Sequence, residues 1–143
     1  MTEENKNAEY FVSKGKEYDK AGNYDLAIEC FNNAIELDPN YEWAYARKAN
    51  SLFYKRNKEE AIANIKKSIE LNPHESKFHR GLGSMYWDWG CLDEASLSYK
   101  QAINIENNSK DHFSLGCLYF KKKNYNLCLK HIIIAIILDK IQS

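Results

Sequence analysis

The sequence predicts an all-α protein built from stacked helical hairpins, and three observations carry that prediction. First, columns of like residues recur along the chain. Gly15, Ala49, Gly83 and Gly116 stand 34, 34 and 33 residues apart, and Ala27, Ala61, Ala95 and Cys128 move with them. Phe31, Ile65, Tyr99 and Ile132 make a third column, Ile35, Ile69, Ile103 and Ile136 a fourth, and Leu37, Leu71, Ile105 and Leu138 a fifth. A fixed period of this length marks a stacked-repeat architecture. Second, the apolar residues inside each copy recur at helical spacing. Third, turn-forming residues separate the helical runs. Stacked helical repeats present an extended binding surface and lack a deep catalytic cleft.

Residues 8–41 form the first copy. Phe11, Gly15 and Tyr18 lie along its first helix, while Ala27, Ile28, Phe31, Ala34, Ile35 and Leu37 wind a stripe along its second. Ala21-Gly22-Asn23 reverses the chain between them. Asp38-Pro39-Asn40 closes the copy, because proline disfavours helix in the residue before it. The second copy, 42–75, follows the same plan with Tyr45, Ala49, Leu52, Ala61 and Ile65, and closes at Asn72-Pro73-His74. The third, 76–108, carries Leu82-Gly83, Tyr86, a turn at Gly90, Ala95 and Tyr99, but lacks the closing proline. The fourth, 109–141, carries Leu115-Gly116, Tyr119, Cys128 and Ile132. Residues 8–141 therefore read as one domain of about eight antiparallel helices, and the polar residues 1–7 as a disordered tail.

The glycine column costs about 1 kcal/mol of helix propensity per position against alanine. A cost repeated at one register implies a gain there, expected to be close approach of two helix backbones. Ala27, Ala61 and Ala95 would form the opposing small surface, with Phe31 and Tyr99 as knobs beside it.

Composition narrows the function classes. Twenty basic and twenty acidic residues cancel over the 143 positions, so no global field draws the molecule toward nucleic acid or an anionic membrane. The cancellation hides a gradient: nine acids against four bases up to Tyr41 give −5, and six bases against two acids from Lys110 onward give +4. Cys30, Cys91, Cys117 and Cys128 lack the paired spacing of zinc or redox motifs. The longest apolar run, Ile132 to Leu138, is too short to cross a bilayer. With no secretory signal at the start, a reduced, cytoplasmic setting is expected.

The pattern resembles the tetratricopeptide repeat, whose form is W-x2-L-G-x2-Y, then A-x3-F, then P. The first copy supplies Phe11-x2-Lys14-Gly15-x2-Tyr18, Ala27-x3-Phe31 and Pro39; the third supplies His79-x2-Leu82-Gly83-x2-Tyr86 and Ala95-x3-Tyr99. The second and fourth are looser, and in the fourth Lys140 stands where proline is usual. The resemblance implies a right-handed superhelix whose concave wall is built by the first helix of each copy. On that wall it places Trp43, Arg47, Asn50, Phe53, Tyr54, Lys77, Arg80, Trp87, Lys110, Phe113 and Phe120. Aromatics beside arginines dominate binding energy at protein interfaces, so the expected partner is a protein or peptide segment carrying acidic and apolar residues. Asn50 could hold its main chain, since an amide both donates and accepts. Some domains of this kind clamp a chaperone's terminal carboxylate with lysines, asparagines and an arginine. Here those places hold Val12, Lys16, Arg47, Lys77 and Gly81, of which Lys77 alone fits.

The last helix differs from its sisters. Their outer positions are polar, as at Lys66-Lys67 and Lys100-Gln101, whereas Ile133, Ile134 and Ile137 occupy them here. A helix apolar most of the way round expects burial on more than one side, either in a homo-oligomer or under a partner. No phosphate loop, nucleophile elbow or zinc-helix motif occurs, so neither an enzyme nor a cofactor or metal is expected. Cys128 and His131, one turn apart, are only two ligands. The function expected is a scaffold that holds an extended or helical segment in its groove. The alternative is a structural protein that self-assembles through its isoleucine-rich end.

Overall fold

The computed structural model describes residues 6–143. It contains, among the described residues, eight α-helices and no strand: α1 (Ala8–Lys20), α2 (Tyr24–Leu37), α3 (Glu42–Tyr54), α4 (Lys58–Leu71), α5 (Ser76–Asp88), α6 (Leu92–Ile105), α7 (Ser109–Lys121) and α8 (Tyr125–Gln142). Residues 1–5 of the expected tail lie outside the described residues. Asn7 is part of the fold, because its side chain caps α1 by accepting from the Tyr10 amide at 2.9 Å. The chain packs as two compact units, one ending at Pro73 and the other running from His74 to Ser143, each containing two hairpins.

Every hairpin turns by the same device. The amide of residue 22 reaches the Asp19 carbonyl at 3.0 Å and that of Asn23 the Tyr18 carbonyl at 2.9 Å, a Schellman pair that satisfies the last carbonyls of α1. The pattern recurs at Arg56-Asn57, Gly90-Cys91 and Lys123-Asn124. Its pivot needs a left-handed backbone, with φ of 76° at Gly22 and Gly90. Arg56 and Lys123 adopt φ of 63° and 61° at the same register, although they carry a Cβ. Tertiary packing therefore imposes on the second and fourth copies a turn that their own residues disfavour.

In the first unit, Val12, Ala27, Phe31, Ala34 and Ala44 form the core, with Phe11, Tyr18, Ile35 and Tyr41 packed against it. In the second, Ala95, Tyr99, Leu115, Leu118 and Tyr119 form a core joined by Trp87, Leu92, Ile103 and Leu127. The glycine column departs from expectation. A Cβ on Gly15 would stand 2.5 Å from the Phe31 ring, one on Gly83 3.2 Å from the Tyr99 ring, and one on Gly116 2.8 Å from the tip of Ile132. The space saved is filled chiefly by a side chain of the following helix, not by its backbone. The fourth and fifth columns also differ from a continuous core. Leu37 and Ile105 are exposed because they are the last residues of α2 and α6, and Ile136 because it faces the open side of α8.

Candidate functional site

In the first unit, α3 carries the aromatic and basic residues singled out from the sequence. Trp43 and Arg47 are one helical turn apart, and the Arg47 guanidinium lies over the indole ring at 5.9 Å from its centroid. Asn50 is exposed on the same helix. Phe53 is half-buried and meets Tyr54 edge-on at 5.4 Å. Tyr54 stacks in turn on Tyr24 of α2 at 5.2 Å, so α2 braces this end of the surface.

The neighbouring α1 supplies an acid. Ser51 donates a 2.5 Å hydrogen bond to Asp19, fixing the carboxylate beside Arg47. Burial pushes the Asp19 carboxyl above its ordinary range, and the Ser51 hydrogen bond and the Arg47 charge oppose that shift. The result is a half-buried acid next to a guanidinium that also faces an indole. This arrangement orders the arginine before any ligand arrives, which lowers the entropy lost on binding.

In the second unit the sequence-selected residues divide. Arg80, expected on the binding wall, is committed to the fold. Its guanidinium makes two parallel bonds to Asp111, Nε to Oδ1 at 2.6 Å and Nη2 to Oδ2 at 2.8 Å, and approaches Glu106 at 3.5 Å. Asp111 has no exposed surface. Its hydrogen bond with Arg80 holds that guanidinium yet more firmly in the charged form. Asn108 completes the arrangement, donating to Asp111 Oδ2 at 3.0 Å while its own oxygen accepts from the Asp111 amide at 2.9 Å. Sequence reasoning missed Asp111 because its partner lies 31 residues away. The Asn108-to-Asp111 capping spacing was the available local signal.

Trp87 is half-buried and packs edge-on against Tyr99, 6.5 Å between centroids. Lys77 is exposed on α5 and Phe120 on α7, where Phe120 meets Tyr125 at 5.8 Å. Lys110 and Phe113 are brought together not with these but with α8 residues Ile132, Ala135, Ile136 and Asp139, around a cavity of about 550 Å³. On α8 itself Ile133 and Ile137 are exposed as expected, but Ile134 is half-buried and Ile136 exposed. The 100° helical step places Leu129, Ile133, Ile136 and Ile137 on one stripe and turns Ile134 away from it.

A second polar cluster lies between α7 and α8. His112, buried in the second unit's packing, bonds Asn107 Oδ1 through Nε2 at 2.7 Å and faces His131 through Nδ1 at 2.9 Å. An amide oxygen only accepts, so His112 carries its proton on Nε2, and the His131 Nδ1–H donates to the bare His112 Nδ1. Burial lowers both imidazoles' affinity for a further proton, and for His131 the charge of His112 adds to it. Among the described residues, no group of three or more His, Cys, Asp or Glu side chains is placed to hold a metal ion. No helix among them is long and apolar enough to cross a membrane.

These hairpins, turns and small-residue columns define a helical-repeat protein. Two family models, both described as tetratricopeptide repeat, match residues 8–41 and 46–111. The chain belongs to the tetratricopeptide repeat family. It is 31% identical over 106 residues to the STIP1 homologue of Dictyostelium discoideum, covering 74% of this chain and 19% of that protein. The chain spans 16% to 19% of the length of the first curated relatives it matches. The crystal structure of MamA superposes with a TM-score of 0.89 at 25% identity, over 97% of this chain and 82% of that one. The first repeat domain of Spaghetti (RPAP3), solved bound to the HSP90 peptide SRMEEVD, superposes at 0.76 with 24% identity, over 82% of this chain and 94% of that one. At that identity the likeness is one of fold.

Proposed function

We propose that this chain is a protein-interaction module, a scaffold without catalysis of its own, that holds an extended or helical segment of a partner against the first helices of its repeats. The observation that carries the proposal is the α3 surface, where Arg47 lies over Trp43 beside exposed Asn50 and the aromatic pair Phe53 and Tyr54. An indole and a guanidinium side by side can take an apolar side chain and a carboxylate from one ligand. The peptide held by the RPAP3 domain, SRMEEVD, has that composition of acidic and apolar residues. Lys77, Trp87 and Phe120 offer the second unit's own contribution to the same kind of ligand. No disulfide joins Cys30, Cys91, Cys117 or Cys128, which favours a reducing, cytoplasmic setting.

The test is an array of acidic-apolar peptides probed with wild type, Trp43→Ala and Arg47→Glu. Loss of about tenfold in affinity is expected for each, the effect of removing one interface anchor. Binding unchanged by both substitutions would place the ligand elsewhere. A second reading, that α8 is covered by another protein surface, is supported by the exposure of Ile133 at 46%, Ile136 at 53% and Ile137 at 50%. A contiguous apolar stripe of this kind marks an interaction site. A homo-oligomer through this stripe is one form of that reading, and sedimentation of the full chain over a concentration range measures it.

A further inference from the structure

Asp19 departs from the pattern of its own repeat. It stands in the register of Phe53, Trp87 and Phe120, so the same place in the other three copies carries an aromatic ring. A half-buried carboxylate loses hydration and persists only where the fold supplies partners. Ser51 of α3, itself without exposed surface, is such a partner and donates to Asp19 Oδ1 at 2.5 Å across 32 positions. One turn earlier on the same helix is Arg47, whose carbonyl lies 3.3 Å from the Ser51 hydroxyl. The Arg47 guanidinium is the positive charge that acts on Asp19.

Other charges surround the pair. On α2, Asp25 is engaged by Lys55 of α3. On α1 itself Lys16 and Lys20 are exposed. Tyr41, which feels the Arg47 charge, also feels Glu9, Glu42 and Asp38. The guanidinium that would receive an acidic ligand therefore already stands in the field of a fixed carboxylate. A ligand carboxylate drawn to Arg47 meets that like charge, which weakens its binding. An uncharged side-chain amide meets no such opposition. Acidic and neutral ligand groups are thus held to similar affinity for as long as Asp19 is ionised. Burial already raises the Asp19 carboxyl above its ordinary range, and a second carboxylate brought beside it would raise it further.

On the reading of α3 as the surface that holds a partner's segment, we propose that Asp19 is its specificity-determining residue. The Asp19 charge sets how well the Arg47 subsite accepts a partner's carboxylate, and protonation of Asp19 opens that subsite to acidic segments. Binding of an acidic segment is then linked to uptake of a proton by the chain.

The probe is the tightest acidic-apolar peptide of the array, fluorescently labelled, with a counterpart that carries glutamine for each glutamate. Anisotropy with the full chain is read from about pH 7.5 down to about pH 4.5, across the carboxylate range. At neutral pH Asp19→Asn, which keeps an oxygen for the Ser51 hydroxyl, should bind the acidic peptide about fivefold more tightly than wild type, the effect of one like charge at a partly exposed site. It should bind the glutamine peptide as wild type does. The gap for the acidic peptide should close as pH falls, because protonation gives Asp19 the charge of asparagine. The peptide's own carboxylates titrate alike with both proteins and drop out of the ratio. Ser51→Ala changes no charge but removes a hydrogen bond that favours ionised Asp19. Its gap from Asp19→Asn should therefore close at a higher pH than that of wild type. A merely structural role for Asp19 would lower the urea midpoint and leave these ratios unchanged. Asp19→Asn binding the acidic peptide no more tightly than wild type, or gaining equally for both peptides, overturns the proposal and leaves the peptide-binding reading of α3 intact. Binding of neither peptide by either protein overturns both.

Discussion

Substituting Gly15 by alanine tests the packing account most directly, because two effects of known sign compete there. Alanine in a helix interior is favoured over glycine by about 1 kcal/mol. The new Cβ, however, would lie 2.5, 2.8 and 2.9 Å from three atoms of the Phe31 ring. Phe31 has no exposed surface and sits among Val12, Ala27, Ala34 and Ala44, so the ring cannot retreat without moving the first unit's core. Overpacking of this kind costs about 1–3 kcal/mol. The net expectation is a loss of about 1 kcal/mol, the difference of the two effects. The chain contains its own control, because the second copy carries Ala49 at this register opposite Ile65 rather than an aromatic. Gly15→Ala combined with Phe31→Ile should therefore show a favourable coupling. At Gly116 the nearest atom is the flexible end of Ile132, so alanine there should be close to neutral or stabilising. Urea denaturation followed by circular dichroism, with unchanged slope, reads wild type, Gly15→Ala, Phe31→Ile, their double variant and Gly116→Ala. Gly15→Ala more stable than wild type by the full propensity gain would refute the ring-filled gap.

Three further outcomes follow from the same structure. Arg56→Gly and Lys123→Gly relieve positive φ angles of 63° and 61° and should each raise the urea midpoint, by about 1 kcal/mol in stability; glycine at either position lowering it would mean the side chain contributes more than the backbone strain costs. Arg80→Leu leaves Asp111 buried without its guanidinium and should cost about 3 kcal/mol, whereas Arg80→Leu with Asp111→Leu should recover most of it; equal losses in the single and double variants would show that the pair is not coupled. Because burial holds both His112 and His131 below the ordinary imidazole range, the unfolded chain takes up protons first as pH falls. Their contribution is intact above about pH 6.5, the unfolded value, and is lost as pH falls through the lower folded values. Melting temperatures between pH 7 and 5.5 should drop more steeply in wild type than in His131→Phe, which keeps a stacked ring against Tyr119.

The candidate surfaces were only partly legible in sequence, and particular residues show why. Trp43, Arg47 and Asn50 could be placed on one helix because local spacing alone sets their separation. Arg80 looked like a binding residue of the same kind, yet it is half-buried and paired with a buried carboxylate on α7. Charge is visible in a sequence, but neutralisation by a distant residue is not. The same limit applies to His112 and His131, which meet across 19 positions. Ile134 and Ile136 exchanged roles because a two-residue difference on a helix is a rotation of about 200°, and only the packing of α7 fixes which side is inward.

Periodicity by itself determined the all-α class, the four hairpins and the register that links them, since apolar spacing and turn residues act through local geometry. Helix ends followed too, with Pro39 and Pro73 stopping α2 and α4 near the expected residues. Tertiary structure decided what the chain's letters could not: that Gly15 and Gly83 make room for rings, that Arg56 and Lys123 are bent into turns they disfavour, and that Arg80 is paired with a buried acid. It also decided that Phe113 and Ile136 face outward. Those outcomes depend on contacts between residues far apart in the chain, where close packing and the pairing of buried charge override local preference.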